Sequence, residues 1–313
     1  MKERIDMNRT HDMIIIGGGP AGYSAALYAS RAGLDVLVLE KMQPGGQMAV
    51  TETIDNYPGF DEGIDGFTLG MKMQAGAQRF GAVTEYGEVT LVELEGGVKR
   101  IVTTSGEYLS RTVVIATGAD PRTLGLEGED DLMGRGIHYC GHCDGRFYKG
   151  KTVVVVGGGN TAAEDALYLS RLAEKVYLVH RNEGLKATKI YHDPLIRAEN
   201  IEIIPNSTVS DISFEQKVTG VTVKNNKSGE ERDIKADGVF VSIGRKPNTY
   251  LFEGKLDLNN GGYIIADETT KTSLDGVFAI GDVRTKALRQ VVTAVSDGAV
   301  AVHFAEEYIA LEN

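Results

Sequence analysis

The chain has 313 residues, of which 42% are hydrophobic and 25% charged, and its formal net charge is −11. This length favours two domains with buried cores, and the acidic balance argues against binding to a phosphate backbone or an anionic membrane surface. No apolar run approaches the ~20 residues that span a bilayer, and the polar N-terminus lacks the apolar segment of a signal peptide, so we expect a cytoplasmic protein.

The sequence contains one supersecondary pattern twice. Met13–Met42 and Val153–Asn182 each begin with a β-branched run typical of a buried strand. Each then continues with a glycine turn, an Ala-rich stretch that predicts a helix, and a second apolar run. This order predicts a βαβ unit, and its repetition predicts two related dinucleotide-binding domains.

The first glycine turn, Gly17–Gly22, fits the G-x-G-x-x-G pattern between a strand and a helix. Such a turn lets the backbone approach a pyrophosphate, and the helix N-terminus adds free N–H groups and a favourable dipole. Glu40 ends the second apolar run, where a carboxylate accepts hydrogen bonds from ribose hydroxyls. The segment therefore predicts a site for an adenine dinucleotide with a free 2′-hydroxyl.

The only two cysteines, Cys140 and Cys143, form a C-x-x-C pair before the second βαβ unit. This spacing lets one thiol attack a disulfide while the other resolves it, and no second C-x-x-C completes a zinc site, so we expect redox chemistry and no metal. Asp144 is a candidate proton donor or acceptor. We hypothesise that His142 stabilises the thiolate and raises the reduction potential of the pair.

The second glycine turn, which begins at Gly157, has the G-x-G-x-x-A form. His180 stands where the first unit has Glu40, and Arg181 and Lys186 follow it. A cationic cluster at this place suits the 2′-phosphate of NADP. The second site is therefore predicted to bind NADPH.

Three apolar runs predict strands on both sides of the second unit: 113–118 and 239–244 end in glycine, and 277–282 ends in Gly-Asp. The polar segment 224–231 predicts a hairpin tip between strands. We therefore predict an α/β fold of two Rossmann-like, three-layer dinucleotide-binding domains, the second inserted into the first. Residues 1–118 and 245–313 would form the first domain, and residues 119–244 would form the second.

An ordered set of motifs resembles the low-molecular-weight thioredoxin reductases of the FAD-dependent pyridine nucleotide-disulfide oxidoreductase family, over nearly the whole chain. Its members are GGGPAG at Gly17, GGQ at Gly45, DNYPGF at Asp55, ATG at Ala116, YCGHCDG at Tyr139, GGGN at Gly157, VHR at Val179, AIGDV at Ala279 and RQVVTA at Arg289. The resemblance implies FAD in the split domain and NADPH in the inserted one. It also implies that Cys143 takes electrons from the flavin, that Cys140 exchanges with a thioredoxin-like disulfide, and that Asp144 handles the proton.

The resemblance and the glycine turns together give a set of candidate cofactor-binding residues. For FAD these are Gly17, Gly19, Pro20, Ala21, Gly22, Glu40, Lys41, Gly45, Gly46, Gln47, Asn56, Ala116, Gly118, Asp282, Arg289, Gln290 and Val291. For NADPH they are Gly157, Gly159, Asn160, Thr161, His180, Arg181, Lys186, Ile243 and Gly244. The family is typically homodimeric, so we expect a homodimer.

The donor and the reaction class each leave alternatives. Asn182 and Lys186 stand where NADPH-using relatives carry arginines, and lysine lacks the fork of arginine, so NADH, reduced ferredoxin or a deazaflavin are alternative donors. A small-molecule dithiol oxidase also joins FAD to a C-x-x-C pair, but it needs no nicotinamide site. A ferredoxin–NADP reductase of this fold would not use the cysteines. A non-catalytic flavin redox sensor is the alternative from another class.

Overall fold

A computed structural model describes residues 9–311 of the chain. These residues divide into two compact units: the first runs to Asp120 and resumes at Lys246, and the second is Pro121–Arg245. The boundaries expected from the sequence, after residues 118 and 244, fall two residues and one residue before these crossings.

The strands and helices follow the chain in this order. The strands are β1 (Thr10–Ile16), β2 (Val36–Glu40), β3 (Val83–Tyr86), β4 (Val89–Glu93), β5 (Lys99–Thr103), β6 (Glu107–Ile115), β7 (Ala119–Pro121), β8 (Ile137–His138), β9 (Thr152–Val156), β10 (Lys175–Val179), β11 (Ile201–Ile204), β12 (Ser207–Phe214), β13 (Val218–Asn225), β14 (Glu231–Lys235), β15 (Gly238–Val241), β16 (Arg245–Pro247) and β17 (Val277–Ala279). The helices are α1 (Pro20–Arg31), α2 (Gly66–Gln78), α3 (Gly141–Asp144), α4 (Asn160–Leu169), α5 (His192–Arg197) and α6 (Val291–Leu311). Short 3₁₀ helices occupy Gly46–Val50, Asp130–Leu132, Gly145–Tyr148, Lys189–Tyr191 and Gly281–Val283.

The first unit is built on a seven-stranded sheet in the order β3-β2-β1-β6-β5-β4, with β17 also paired to β6. Strands β3, β2, β1, β6 and β17 run parallel, whereas β5 is antiparallel to β6 and β4 is antiparallel to β5. Along one edge of β6, residues 107–110 pair with β5 and residues 113–115 pair with β17. The parallel strands therefore bring their carboxyl ends to one edge, where ligands bind in open α/β sheets.

The sheet of the first unit is covered on both faces. Met13 and Ile15 of β1 pack with α1 and α6, whereas Ile14 and Ile16 enter a separate core on the other face. This alternation follows from the two-residue period of a strand, and all four side chains are buried. A strand that is buried on both faces explains why this segment reads as a continuous apolar run.

The second unit contains a parallel sheet in the order β11-β10-β9-β15-β8 and a separate antiparallel sheet, β12-β13-β14. Val153 and Val155 of β9 pack with α4, and Val154 and Val156 pack in a core that includes side chains of the antiparallel sheet. The turn between β13 and β14 lies within the polar segment 224–231, so the predicted hairpin is confirmed.

The α/β class with two Rossmann-like units is confirmed by these parallel sheets and their covering helices. Among residues 9–311, the structure contains no helix with the length and hydropathy needed to cross a bilayer.

Candidate active site

The glycine turn of the first unit joins β1 to α1 and is shaped by close backbone contacts. Gly17 has φ +108°, and a Cβ at this position would lie 2.5 Å from the carbonyl oxygen of Ala116. A Cβ on Gly22 would lie 2.0 Å from the carbonyl oxygen of Gly17. At Gly19, by contrast, no described atom lies within 4 Å of a Cβ position, and α1 begins there without a side-chain cap. The turn thus leaves an open cradle at a helix N-terminus, which fits a pyrophosphate.

Glu40 closes the side of this turn from the end of β2. Its Oε2 accepts a hydrogen bond of 2.6 Å from the backbone N–H of Gly18, and its Oε1 accepts one of 3.0 Å from Met42. A carboxylate has about four lone-pair sites, so acceptor capacity remains for a ribose hydroxyl. Lys41 lies beside it in sequence, but its ammonium is 2.8 Å from the Glu88 carboxylate. The hydrogen bond to Glu88 raises the pKa of Lys41.

The segment that begins at Gly45 lies against the glycine turn. The N–H of Gly45 donates a 2.8 Å hydrogen bond to the carbonyl of Gly18, and a Cβ on Gly46 would lie 3.3 Å from the Cα of Gly19. Both Gly45 and Gly46 have positive φ, at 109° and 55°, which side chains disfavour. Gln47 follows, and its amide donates to Asp120 at 2.6 Å. The structure therefore brings the GGQ motif next to the first glycine turn, as the two motifs require if they share a ligand.

A further pair of predicted residues from distant parts of the chain also meets. The side-chain amide of Asn56 donates to Gln290 at 3.0 Å, and Gln290 directly precedes Val291, the first residue of α6. Residues 55–61 line an open depression of about 560 Å³.

The strand ends after β6 and β17 complete the edge of the first unit. Ala116 N–H bonds to the carbonyl of Ile16, and Gly118 has φ +70° with open space at its Cβ position. A Cβ on Gly281 would lie 3.0 Å from the side chain of Ala21, so the segment Gly281-Asp282 is next to the first turn of α1. The predicted residues after β1, β2, β6 and β17 therefore share one sheet edge.

Arg289 is fixed between this edge and α6. Its guanidinium lies 4.2 Å from the ring centroid of Tyr263 and donates to the carbonyls of Asp282 and Arg284 at 3.4 and 3.3 Å. The sequence predicts a direct role for Arg289 at the cofactor. The contacts show that it also holds the backbone that carries Asp282.

A buried ion cluster behind Gly281 was not predicted from the sequence. Asp297 accepts hydrogen bonds from the Gly281 N–H, Arg284 and Lys286, each at 2.8–2.9 Å. Burial alone would raise the pKa of Asp297, but the bonds to Arg284 and Lys286 lower it below the usual value. An acidic residue within the apolar first half of α6 was the available signal, because a buried carboxylate needs partners.

The second glycine turn joins β9 to α4 with the same design. Gly157 has φ +148°, and a Cβ there would lie 2.3 Å from the carbonyl oxygen of Ser242. Gly159 has open space at its Cβ position, and α4, whose first residues are Asn160 and Thr161, begins without a side-chain cap. The turn fits a second pyrophosphate. Ile243 and Gly244 follow Ser242, whose backbone N–H bonds to Val156, so they also lie at this sheet edge.

The loop after β10 folds back over the second turn. Backbone N–H groups of Lys186 and Ala187 donate to the carbonyl of Gly158 at 2.7 and 3.0 Å, and Asn160 accepts from the N–H of Thr188 at 2.8 Å. These bonds place the base of Lys186 beside the predicted phosphate cradle.

Three side chains of this loop are available to a ligand. His180 is buried, which lowers its pKa, and its Nδ1 has no hydrogen-bond partner within residues 9–311. Arg181 and Lys186 are exposed, and neither forms an ion pair in the part of the chain that the structure describes. The neighbouring Glu183 carboxylate is occupied by Lys227 at 2.9 Å. Two free cations beside an orphaned imidazole fit the 2′-phosphate of NADPH.

The cysteine pair lies on the short helix α3 of the second unit, where Cys140 and Cys143 form a disulfide with Cα atoms 5.3 Å apart. Cys140 caps α3, because its Sγ accepts a 3.1 Å hydrogen bond from the N–H of Cys143. Asp144 follows directly. Among the described residues, no group of three or more His, Cys, Asp or Glu side chains is arranged to hold a metal ion.

His142, between the cysteines, contacts α4. Its ring stacks on Tyr168 at 4.3 Å between centroids, and its Nδ1 lies 3.5 Å from Asp165. The hydrogen bond to Asp165 raises the pKa of His142. Asp165 is buried and also accepts from the Ser242 hydroxyl at 2.6 Å. Asp165 was not predicted from the sequence. The available signal was an acidic residue within the Ala-rich helix α4.

Comparison with known proteins places this geometry in a family. Residues 11–298 match the family model described as pyridine nucleotide-disulphide oxidoreductase. Thioredoxin reductase of Listeria monocytogenes is 45% identical over 302 residues, which cover 96% of this chain and 94% of the relative. Thioredoxin reductase of Bacillus subtilis is 45% identical over 303 residues, with 96% and 95% coverage.

A solved structure gives the same result. The crystal structure of thioredoxin reductase from Streptococcus pyogenes matches with a TM-score of 0.91 and 42% identity, over 97% of this chain and 99% of that chain. The resemblance predicted from the ordered motifs is thereby confirmed. The chain belongs to the thioredoxin reductases within the pyridine nucleotide-disulphide oxidoreductase family.

Proposed function

We propose that this chain reduces the disulfide of a thioredoxin-like protein, with electrons that pass from NADPH through FAD to the Cys140–Cys143 pair. The observation that carries the proposal is the Cys140–Cys143 disulfide on α3, in the same unit as an open glycine turn with unpaired cations. Relatives at 45% identity that are thioredoxin reductases support the same reaction.

FAD is assigned to the first unit and NADPH to the second. The carboxylate of Glu40 would accept from the ribose of FAD, and the open space at Gly19 would admit its pyrophosphate. In the second unit, the corresponding place carries His180, Arg181 and Lys186. Bound FAD supplies the two-electron transfer that connects a nicotinamide to a disulfide.

The two cysteines account for the electrons and protons of the disulfide exchange. Two electrons and two protons convert their disulfide into two thiols. The Cys140 thiolate then attacks the partner disulfide, which breaks that S–S bond and forms a mixed disulfide. Cys143 next attacks the Sγ of Cys140, restores the intramolecular bond and releases the partner as a dithiol. The protons that leave Cys140 and Cys143 go to the two sulfurs of the partner, and we assign Asp144 to carry them.

The preference for NADPH rests on Arg181 and Lys186. One hydrogen bond to a charged group contributes about 1.5–3 kcal/mol, so loss of Arg181 should weaken binding of a 2′-phosphate by tenfold or more. NADH lacks that phosphate, so its binding should not depend on either residue. A homodimer located in the cytoplasm is part of the proposal, as in the family that the motifs resemble.

The proposal is tested by anaerobic titration of the purified yellow protein with NADPH and NADH, with flavin absorbance as the readout. We expect NADPH to reduce the flavin at much lower concentration than NADH, and the reduced protein to reduce thioredoxin disulfide over many turnovers. If neither nicotinamide reduces a flavin that dithionite reduces, the NADPH assignment is wrong. Ferredoxin, a deazaflavin or oxidase chemistry would then take its place.

The variant Arg181→Gln sharpens this test. We expect about a tenfold increase in KM for NADPH and no change for NADH. Lys217→Gln is the matched control, because Lys217 is an exposed cation of the same unit between β12 and β13. An equal effect in both variants would attribute the change to net charge and contradict a phosphate site at Arg181.

A further inference from the structure

We infer that His138, held by Tyr148, is a positioning residue that orients Asp144 for proton transfer at the cysteine pair. The inference rests on the proposed function, in which Asp144 carries the proton during disulfide exchange. Neither His138 nor Tyr148 belongs to the residues that the sequence motifs single out. Both come from the contacts made behind the C-x-x-C helix.

Three side chains lie in a line from the core of the second unit to the cysteines, joined by one hydrogen bond and one close ion-pair contact. His138 Nδ1 lies 3.2 Å from Asp144 Oδ2, and His138 Nε2 lies 2.6 Å from the hydroxyl of Tyr148. His138 and Tyr148 are buried, and the Asp144 side chain is 17% exposed. The line therefore begins in the core and ends at the residue next to Cys143.

The place of the proton on His138 follows from the chemistry of its two partners. Nδ1 of His138 faces Asp144 at 3.2 Å, and an ionised carboxylate can only accept, so this contact is favourable when Nδ1 carries the hydrogen. A neutral imidazole then has an acceptor at Nε2, which takes the hydroxyl proton of Tyr148. Burial raises the pKa of Tyr148 well above its usual value, so this hydroxyl keeps its proton. The two contacts consequently favour one tautomer of His138, with its N–H on the side of Asp144.

Packing holds the imidazole in that orientation. His138 and Phe240 are register partners in neighbouring parallel strands, and their rings stack with centroids 5.2 Å apart. The ring of Tyr148 meets the imidazole edge-on at 5.2 Å. A Cβ on Gly238 would lie 2.4 Å from that tyrosine ring, so glycine makes room for it. The other charged groups that face this cluster are Lys151, over the Tyr148 ring, and Asp237.

The sequence positions explain why this contact matters for the redox loop. His138 ends β8 and Asp144 ends α3, so the 3.2 Å contact between them spans the segment that contains both cysteines. It ties the carboxylate to the rigid parallel sheet rather than to the loop alone. A carboxylate held in this way loses little rotamer freedom when it exchanges a proton with a cysteine sulfur.

The first test is the variant His138→Ala in the FAD-loaded enzyme. General acid–base catalysis contributes about 10²–10⁴-fold, and we expect loss of its orientation to lower kcat for thioredoxin reduction about tenfold. Reduction of the flavin by NADPH, followed by stopped flow, should stay unchanged, because it does not involve Asp144. His138→Asn should restore most of the rate, since its amide retains a donor near the position of Nδ1.

A double-variant cycle separates positioning from an independent effect. If His138 acts through Asp144, then His138→Ala combined with Asp144→Asn should be no slower than Asp144→Asn alone. If the fold decrease in rate in the double variant equals the product of the two single decreases, the inference is overturned. An unchanged rate in His138→Ala would also overturn it. His303→Ala is the control, because His303 is an exposed histidine that pairs with Glu307. If His138→Ala does not fold, Tyr148→Phe keeps the ring packing, removes the hydroxyl, and should slow the same step.

A measurement without turnover distinguishes this inference from the proposed function. After reduction with dithiothreitol, the rate at which iodoacetamide alkylates the cysteines is followed against pH. We expect the pH midpoint of the alkylation rate to shift by the same amount in His138→Ala and in Asp144→Asn. The shift in the double variant should be no larger than in either single variant. A shift confined to Asp144→Asn would overturn the inference. A wild-type protein that never reduces thioredoxin would overturn the proposed function and leave the alkylation result to decide the role of His138.

Discussion

Replacing Asp297 by asparagine removes the negative charge between two buried cations. Arg284 and Lys286 have side chains only 5% and 7% exposed, and both donate to Asp297. Breaking a buried ion pair from one side typically costs about 3–5 kcal/mol, because the remaining charge is left without a counter-charge. Asparagine keeps an acceptor for the Gly281 N–H, so we expect Asp297→Asn to lower the free energy of unfolding by about 3 kcal/mol, the low end of that range.

The pH dependence of this loss has a defined sign. The pKa of Asp297 is lower in the folded protein than in the unfolded chain, so its contribution to stability is present above the unfolded value of about 3.9. That contribution disappears as the pH falls through the lower, folded pKa. We therefore expect the difference between wild type and Asp297→Asn to be constant near neutral pH and to shrink only in strong acid.

The assay is urea unfolding at a fixed, saturating FAD concentration, with flavin affinity measured separately, because a ligand that binds the folded state adds to apparent stability. Glu93→Gln is the matched control: its exposed ion pair with Arg100 in the same unit should contribute no more than about 1 kcal/mol. Equal losses in the two variants would refute the reasoning. The Gly281 N–H keeps its acceptor in Asp297→Asn, so we expect flavin affinity to change little while stability falls.

Two further predictions concern the second unit. Gly159→Ala should leave the unfolding free energy nearly unchanged, because its Cβ position is open, but it should raise KM for NADPH about tenfold by occupying the phosphate cradle, which steady-state kinetics would detect. Asp165→Asn should lower the pKa of His142, measured by NMR titration, because the hydrogen bond to Asp165 raises it. This pair stabilises the fold by less than about 1 kcal/mol, since the ring is half exposed. Because the folded pKa of His142 is raised, the contribution is present below the unfolded pKa of about 6.5 and is lost as the pH rises through the folded pKa.

The parts of the fold that the sequence predicts well are those encoded locally. Each βαβ unit combines a buried strand, a glycine turn and an Ala-rich helix within about thirty residues, which is the usual length of this motif. The insertion of one unit into the other also follows from the sequence, because strand-like runs ending in glycine lie on both sides of the second repeat. The antiparallel strands β4, β5 and β12 carry weaker patterns and were not individually predicted.

The parts of the site that the sequence does not reveal depend on contacts between distant segments. The pairing of β8 with β15 places His138 against Phe240, and no local pattern encodes that register. The same limit affects Lys41, which is predicted to bind the cofactor but lies 2.8 Å from Glu88, a residue between β3 and β4. Its proposed role remains a prediction that must compete with this ion pair.

The two glycine turns show how one backbone conformation can serve both proposed dinucleotide sites of the enzyme. In each, the first of three consecutive glycines has a positive φ and no room for a Cβ, whereas the third, Gly19 or Gly159, leaves open space at the helix N-terminus. What differs is the residue at the end of the following strand: Glu40 bonds to its own turn, whereas the Nδ1 of His180 has no partner within residues 9–311. A carboxylate repels a 2′-phosphate, and the cations beside His180 attract one. Discrimination between the two dinucleotides can therefore come from a few side chains after β2 and β10, with the phosphate-binding backbone held constant.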